Sequence, residues 1–186
     1  MEKQTQLSNP SKFGLAGFSI ALLMLGFAYA DVIALNNVVL ATILTMGVVA
    51  PLIAGVLEFV KGNSYRSTAF ILYGLFFLTF YIFHTRTLNA APINRATLGI
   101  FFIAWALVTA ALLCGIILKR MGPKNITLTV ILANALAFLT ALAVAEFAQV
   151  RAIFIVAGVF ALMTALAILV DFFMHIMYRI KRDAAK

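Results

Sequence analysis

Charge is scarce in this chain of 186 residues: Asp, Glu, Lys and Arg make up 11% of it, against about 25% in an average soluble domain. So few charged groups cannot build a water-facing shell, which excludes an ordinary soluble fold. Acid is scarcer than base, with 6 Asp+Glu against 14 Lys+Arg and a formal charge of +8. The basic residues stand one to four at a time beside apolar stretches and not along one face. That excludes a nucleic-acid surface and marks them as topology signals. The single cysteine, Cys114, permits no internal disulfide and no cysteine-based metal cluster, and its neighbours Leu113 and Gly115 predict a packed, inert thiol. His-Glu-x-x-His, Gly-x-Ser-x-Gly and the Walker loop are all absent, and of the two histidines only His175 has a potential second ligand, Asp171. No metal, no cofactor and no enzymatic activity is expected. Apolar-polar alternation at period two is also missing, which argues against a membrane β-barrel.

What the chain has is apolar length. Hydrophobic residues make up 65% of it, and the mean hydropathy is +1.10. A membrane helix needs about 20 apolar residues. Six segments qualify: Phe13 to Ala30, Val38 to Val60, Thr68 to Phe83, Thr97 to Leu118, Ile126 to Phe147 and Ala152 to Phe173. Asn36-Asn37, Gly62-Asn63, Asn89 to Pro92, Gly122-Pro123 and Gln149 to Arg151 supply the turns between them. The predicted architecture is all-α: a polytopic six-transmembrane-helix bundle in one domain, residues 1–186, with short tails at about 1–12 and 176–186. The triplet Ala28-Tyr29-Ala30 imitates a signal-peptide cleavage site, but the run before it reads as the first span. Eleven of the 14 basic residues fall on the side of the two tails, leaving Arg86, Arg95 and Arg151 opposite. Positive loops stay inside, so both termini are expected in the cytoplasm and the chain in the cell membrane.

Small residues mark the packing faces. Ala133, Ala137, Ala141 and Ala145 recur every four residues in the fifth span, and Ala157, Ala161 and Ala165 do so in the sixth; both ridges are expected to meet protein. In the third span Phe70, Tyr73, Phe77 and Phe80 form an aromatic stripe in which the Tyr73 phenol needs a partner or a polar pathway. Ionisable groups lie near the span ends. Glu58 with Lys61 and Asp171 with His175 have the spacing of helical ion pairs, and Glu58, Asp171 and His175 are also candidates for proton handling. Asn134, at mid-depth, is expected to cross-link helices or line a pore.

Two stretches resemble a known family. The run from Asn9, Pro10, Ser11 and Lys12 through Gly14 and Leu15 to Phe18 resembles the Asn-Pro-Ala-Pro-Leu-Gly-Leu signature of the acetate uptake transporter family, the acetate and succinate permeases of SatP/YaaH type. Ala54 to Tyr65, continuing through Thr68-Ala69-Phe70 to Tyr73-Gly74, is similar to that family's second-to-third-helix block, with Glu58, Gly62, Asn63 and Thr68 in place. The chain departs from the family at Ser11-Lys12-Phe13, at Val48 to Leu52 and at Phe77, where a tryptophan is usual. The resemblance implies transport of small carboxylates, acetate foremost and succinate besides, by anion channel or proton-coupled uptake. It also implies a homohexamer with one pore per protomer, in contact with lipid and not with nucleic acid. The implied constriction includes Phe18 and Tyr73, with Leu132 or Asn134 as its third member. The first turn of the opening helix, at Asn9 and Pro10, offers free N–H groups to an anion. The alternative reading is a membrane sensor or structural subunit that keeps the fold without transport.

Overall fold

A computed structural model describes residues 9–85, 94–118 and 126–184. The turns expected at Asn89 to Pro92 and Gly122-Pro123 lie outside these, as do Lys3, Arg86, Lys119, Arg120, Lys124 and Lys186. Among the described residues there are no strands, and six helices are long and apolar enough to cross a membrane. They are α1 (Pro10–Tyr29), α2 (Asn37–Val60), α3 (Ser64–Thr85), α4 (Arg95–Ile117), α5 (Ile126–Ala148) and α6 (Arg151–Ala184). Each contains one predicted span to within a residue. The main difference is at the end, where α6 continues to Ala184 through the segment expected to be a tail.

Local chemistry sets the boundaries. Pro10 starts α1, where its missing N–H costs nothing. Asn36 caps α2 by accepting from the Val38 and Val39 amides, and Asn94 caps α4 through the Ala96 amide. Gly62, at φ +75°, reverses the chain between α2 and α3. Inside α2 the segment Ile43–Val49 is π-helical, and the Ala50 amide donates to the Thr45 carbonyl five residues back. Pro51 follows at once. A proline removes a helical donor and crowds the carbonyls behind it, and the wider turn relieves that crowding.

The helices form a ring. Going round it, α1 packs on α2, α2 on α3, α4 on α5, α5 on α6, and α6 returns to α1. Between α3 and α4 the ring is closed by aromatic side chains: Phe76 stacks on Phe101 with centroids 5.7 Å apart and meets the Trp105 ring edge-on at 5.3 Å, while Phe83 meets Phe101 at 5.4 Å. The α1–α6 crossing is among the closest contacts. Ala157, Ala161 and Ala165 are fully buried, and a Cβ on Gly158 would lie 2.4 Å from the Ala30 nitrogen. The α5 ridge behaves differently: Ala145 is buried, but Ala133 is exposed, because α5 turns Leu132, Ala135, Leu139 and Leu142 inward. Cys114 is exposed on α4, contrary to the packed thiol expected, since Leu112 and Ile116 take the inward face there.

Candidate functional site

A cavity of about 130 Å³ opens inside the ring at the end where α1 and α3 begin and α6 draws to its close. One water centre needs roughly 10–15 Å³, so the space admits a small hydrated solute. Its mouth is polar, with Asn9, Ser11 and Lys12 from α1 and the turn before it, Tyr65 and Arg66 from α3, Thr127 from α5 and Asp171 from α6. Its floor is apolar, made by Leu15, Phe18, Phe70, Tyr73, Ile131 and Leu132. Two cations, Lys12 and Arg66, stand against one lining carboxylate, Asp171.

The mouth is held by a network built on Glu58. Glu58 is 3% exposed. Its Oε1 accepts from the Ser11 amide at 3.1 Å and from the Ser11 hydroxyl at 2.6 Å, and its Oε2 accepts from Asn63 Nδ2 at 3.0 Å. Arg66 Nη1 donates to the Ser11 hydroxyl oxygen at 3.2 Å. One carboxylate therefore ties the end of α2 to the start of α1 and to the turn leading into α3, and it supplies the negative charge that a helix N-terminus favours. This corrects the expectation of an open anion site there: the chain's own carboxylate already occupies the Ser11 N–H. Lys12 Nζ pairs with Asp171 Oδ2, closing α1 onto α6 across the cavity mouth.

At the floor the Phe18 and Tyr73 rings meet with centroids 5.2 Å apart, and Phe77 lies edge-on to Phe18 at 5.5 Å. The Tyr73 hydroxyl is 3.0 Å from Thr109 Oγ1, which donates to its own helix at the Trp105 carbonyl. That leaves Tyr73 as the donor, so the phenol is satisfied. Below this contact Leu22, Leu25, Phe77, Phe80, Phe138 and Leu142 fill the interior with 2% exposure or less. At the far end of α1 a second recess is lined by Ala28, Tyr29, Asp31, Gln149, Arg151 and Phe154, with Arg151 donating to the Asp31 carboxylate. The two recesses thus lie at opposite ends of α1 with a dry plug between them.

Of the residues predicted from sequence, Asn9, Leu15, Phe18, Tyr73, Leu132 and Asp171 line one cavity. Glu58 and Asn63 lie behind its wall, and Pro10 and Gly14 are buried in α1, a Cβ on Gly14 being 2.5 Å from that of Ala54. Gly62 shapes the turn, Thr68 is exposed, and His175 lies beyond the cavity lining. Asn134, expected to cross-link helices or line a pore, does not line the cavity; its Nδ2 donates to the Val130 carbonyl of its own helix. Sequence reasoning missed Ser11, Lys12, Arg66 and Thr109 as site residues. Ser11 and Lys12 stood in plain view as departures from the family signature, but they were read as a loss of motif.

A sequence model described as the GPR1/FUN34/yaaH family matches residues 1–181. The succinate-acetate/proton symporter SatP of Escherichia coli strain K12 is 34% identical over 114 residues, 60% of either chain. The ammonia transport outward protein 2 of Saccharomyces cerevisiae is 32% identical over 116 residues, 58% of this chain and 41% of that one. The match thus spans about three fifths of the bacterial relative's length. Among solved structures, the bacterial acetate channel SatP superposes with a TM-score of 0.86 at 27% identity, covering 94% of both chains.

Proposed function

The chain belongs to the GPR1/FUN34/yaaH family, and on that premise we propose that it carries small carboxylates, acetate foremost, across the membrane it spans. The observation that carries this reading is a cavity with two cations at its mouth that narrows onto Phe18, Tyr73 and Leu132. A carboxylate has one end that wants donors and one that does not. Lys12, Arg66 and Thr127 suit the first, and the apolar floor suits the second. Phe18 and Tyr73 bar hydrated ions while closed, and selectivity is then a matter of width. The cations speak against ammonium as the solute, although one yeast relative bears an ammonia-export name.

Further parts of the reading rest on the resemblance and on charge counting: residues 1–186 form one domain, protomers assemble as a homohexamer, and the chain is not an enzyme. Both termini face the cytoplasm, so the cavity with Lys12 opens there and the Arg151 recess opens outward. Glu58, Asp171 and His175 are the groups through which protons can couple to flux. The test is radiolabelled acetate uptake into proteoliposomes, with and without a pH gradient. Uptake well above empty vesicles is expected. Acetate binding without any flux overturns the transport reading in favour of a sensor or structural subunit.

A further inference from the structure

Each of the four carboxylates among the described residues of 9–178 is engaged across elements: Glu58 with Ser11 and Asn63, Glu146 with Arg95, Asp31 with Arg151 and Asp171 with Lys12. Asp171 differs from the others in its surroundings. It is the acidic residue that lines the cavity, and its partner Lys12 lines the same cavity from the opposing helix. Both side chains are largely but not wholly covered, at 26% and 19% exposure, so water and a small solute reach them. The pair joins positions 159 residues apart, and it occupies the mouth through which a solute must pass to reach Phe18.

A substrate carboxylate and the Asp171 side chain are the same chemical group. Glu58 already takes the α1 amide and hydroxyl at Ser11, so the ammonium of Lys12 is the principal anchor that α1 has left to offer, and Asp171 sits on it. We propose that Asp171 is a tethered competitor for a carboxylate site on Lys12, displaced when it takes up a proton. This rests on the transport reading of the same cavity and gives that reading a local mechanism. A proton from water binds Asp171 Oδ2, the neutral carboxyl leaves the ammonium, and the substrate carboxylate takes its place. Loss of that proton regenerates the internal carboxylate, which expels the substrate. The exchange conserves charge, since one ion pair replaces another and the proton stays on Asp171.

The groups around Asp171 among the described residues are these. Lys12 faces it from α1, Arg66 and Tyr65 line the cavity from α3, and α5 contributes the uncharged Thr127 and Leu128. Glu58 of α2 lies behind Ser11, and His175 is one turn farther along α6. Asp171 is thus placed to carry the pH dependence of binding at Lys12.

The experiment measures initial rates of radiolabelled acetate uptake by proteoliposomes, from pH about 5 to about 8, with KM expressed as acetate anion. For the wild type KM is expected to climb toward roughly tenfold per pH unit wherever Asp171 is ionised. Asp171→Asn should lower KM at neutral pH by about tenfold or more and flatten the profile. Lys12→Gln should raise KM and flatten the profile as well. Adding Asp171→Asn to Lys12→Gln should bring no gain, because the competitor acts only through the ammonium. An unchanged KM and pH slope in Asp171→Asn overturns the proposal, and so does a gain that persists undiminished in the double variant. Should Asp171→Asn fail to assemble, Lys12→Gln decides alone, since retention of the wild-type slope without the lysine overturns the exchange. A wild-type protein with no flux at all defeats the transport reading, whereas flux that ignores Asp171 defeats only this inference.

Discussion

Phe18 and Tyr73 are 55 residues apart in sequence and 5.2 Å apart as rings, and the space above them is the cavity. Shortening either ring to alanine removes the floor without touching the cations. Phe18→Ala and Tyr73→Ala should therefore raise uptake of propionate and lactate relative to acetate, measured by competition in proteoliposomes. An unchanged ratio in both variants speaks against a neck at this contact. Glu58 has a structural consequence that is just as testable. Its carboxylate accepts three hydrogen bonds while 3% exposed. Hydrogen bonds to a carboxylate are worth about 1.5–3 kcal/mol each, so Glu58→Gln and Ser11→Ala should each cost on the order of 2–3 kcal/mol, read as lower melting temperatures in detergent. The residue types at the site were legible in the sequence, but their partners were not. Spacing suggested Lys61 for Glu58 and His175 for Asp171, whereas the carboxylates also reach Ser11 and Lys12 in another helix. Periodicity describes one helix at a time and carries nothing about which helix lies opposite.

At the scale of the helix, hydropathy located all six spans, because the thickness of hydrocarbon leaves little freedom in length. It could not tell a ridge that meets its own chain from one that does not. The alanines at 157, 161 and 165 are fully buried, and those at 133 and 137 are not. The pattern is the same in both, and only the neighbour differs. A paired substitution separates them: Ala161→Leu should destabilise by about 1–3 kcal/mol through overpacking of the filled interior around α6, while Ala133→Leu should leave the melting temperature of the isolated chain nearly unchanged. Gly158→Val should be worse than Ala161→Leu, since its Cβ would meet backbone at 2.4 Å. The π-helical turn at Ile43–Val49 was hidden as well. Pro51 announced a disturbance in α2, but a kink, a break and a wide turn are all answers to a missing donor.

For the whole molecule the sequence supplied the count of spans and the charge asymmetry, and the ring order came from packing alone. Eleven of 14 basic residues on one side predict that reporters fused to either end are active only in the cytoplasm, and a signal from the opposite side of the membrane contradicts the orientation. Ring closure has one uneven joint, where α3 and α4 are bridged by long side chains: Phe76, Phe83, Phe101 and Trp105 through their rings and Tyr73 through Thr109. The opposite joint is the reverse, with α1 and α6 pressed together at Gly26 and Gly158. Helices locked so closely have little room to rock, and what can move at the neck are Phe18, Tyr73 and their aromatic neighbours. Ring flips and rotamer hops take far less time than the sliding of whole helices. A barrier made of such parts should answer faster than one that waits for whole helices to slide.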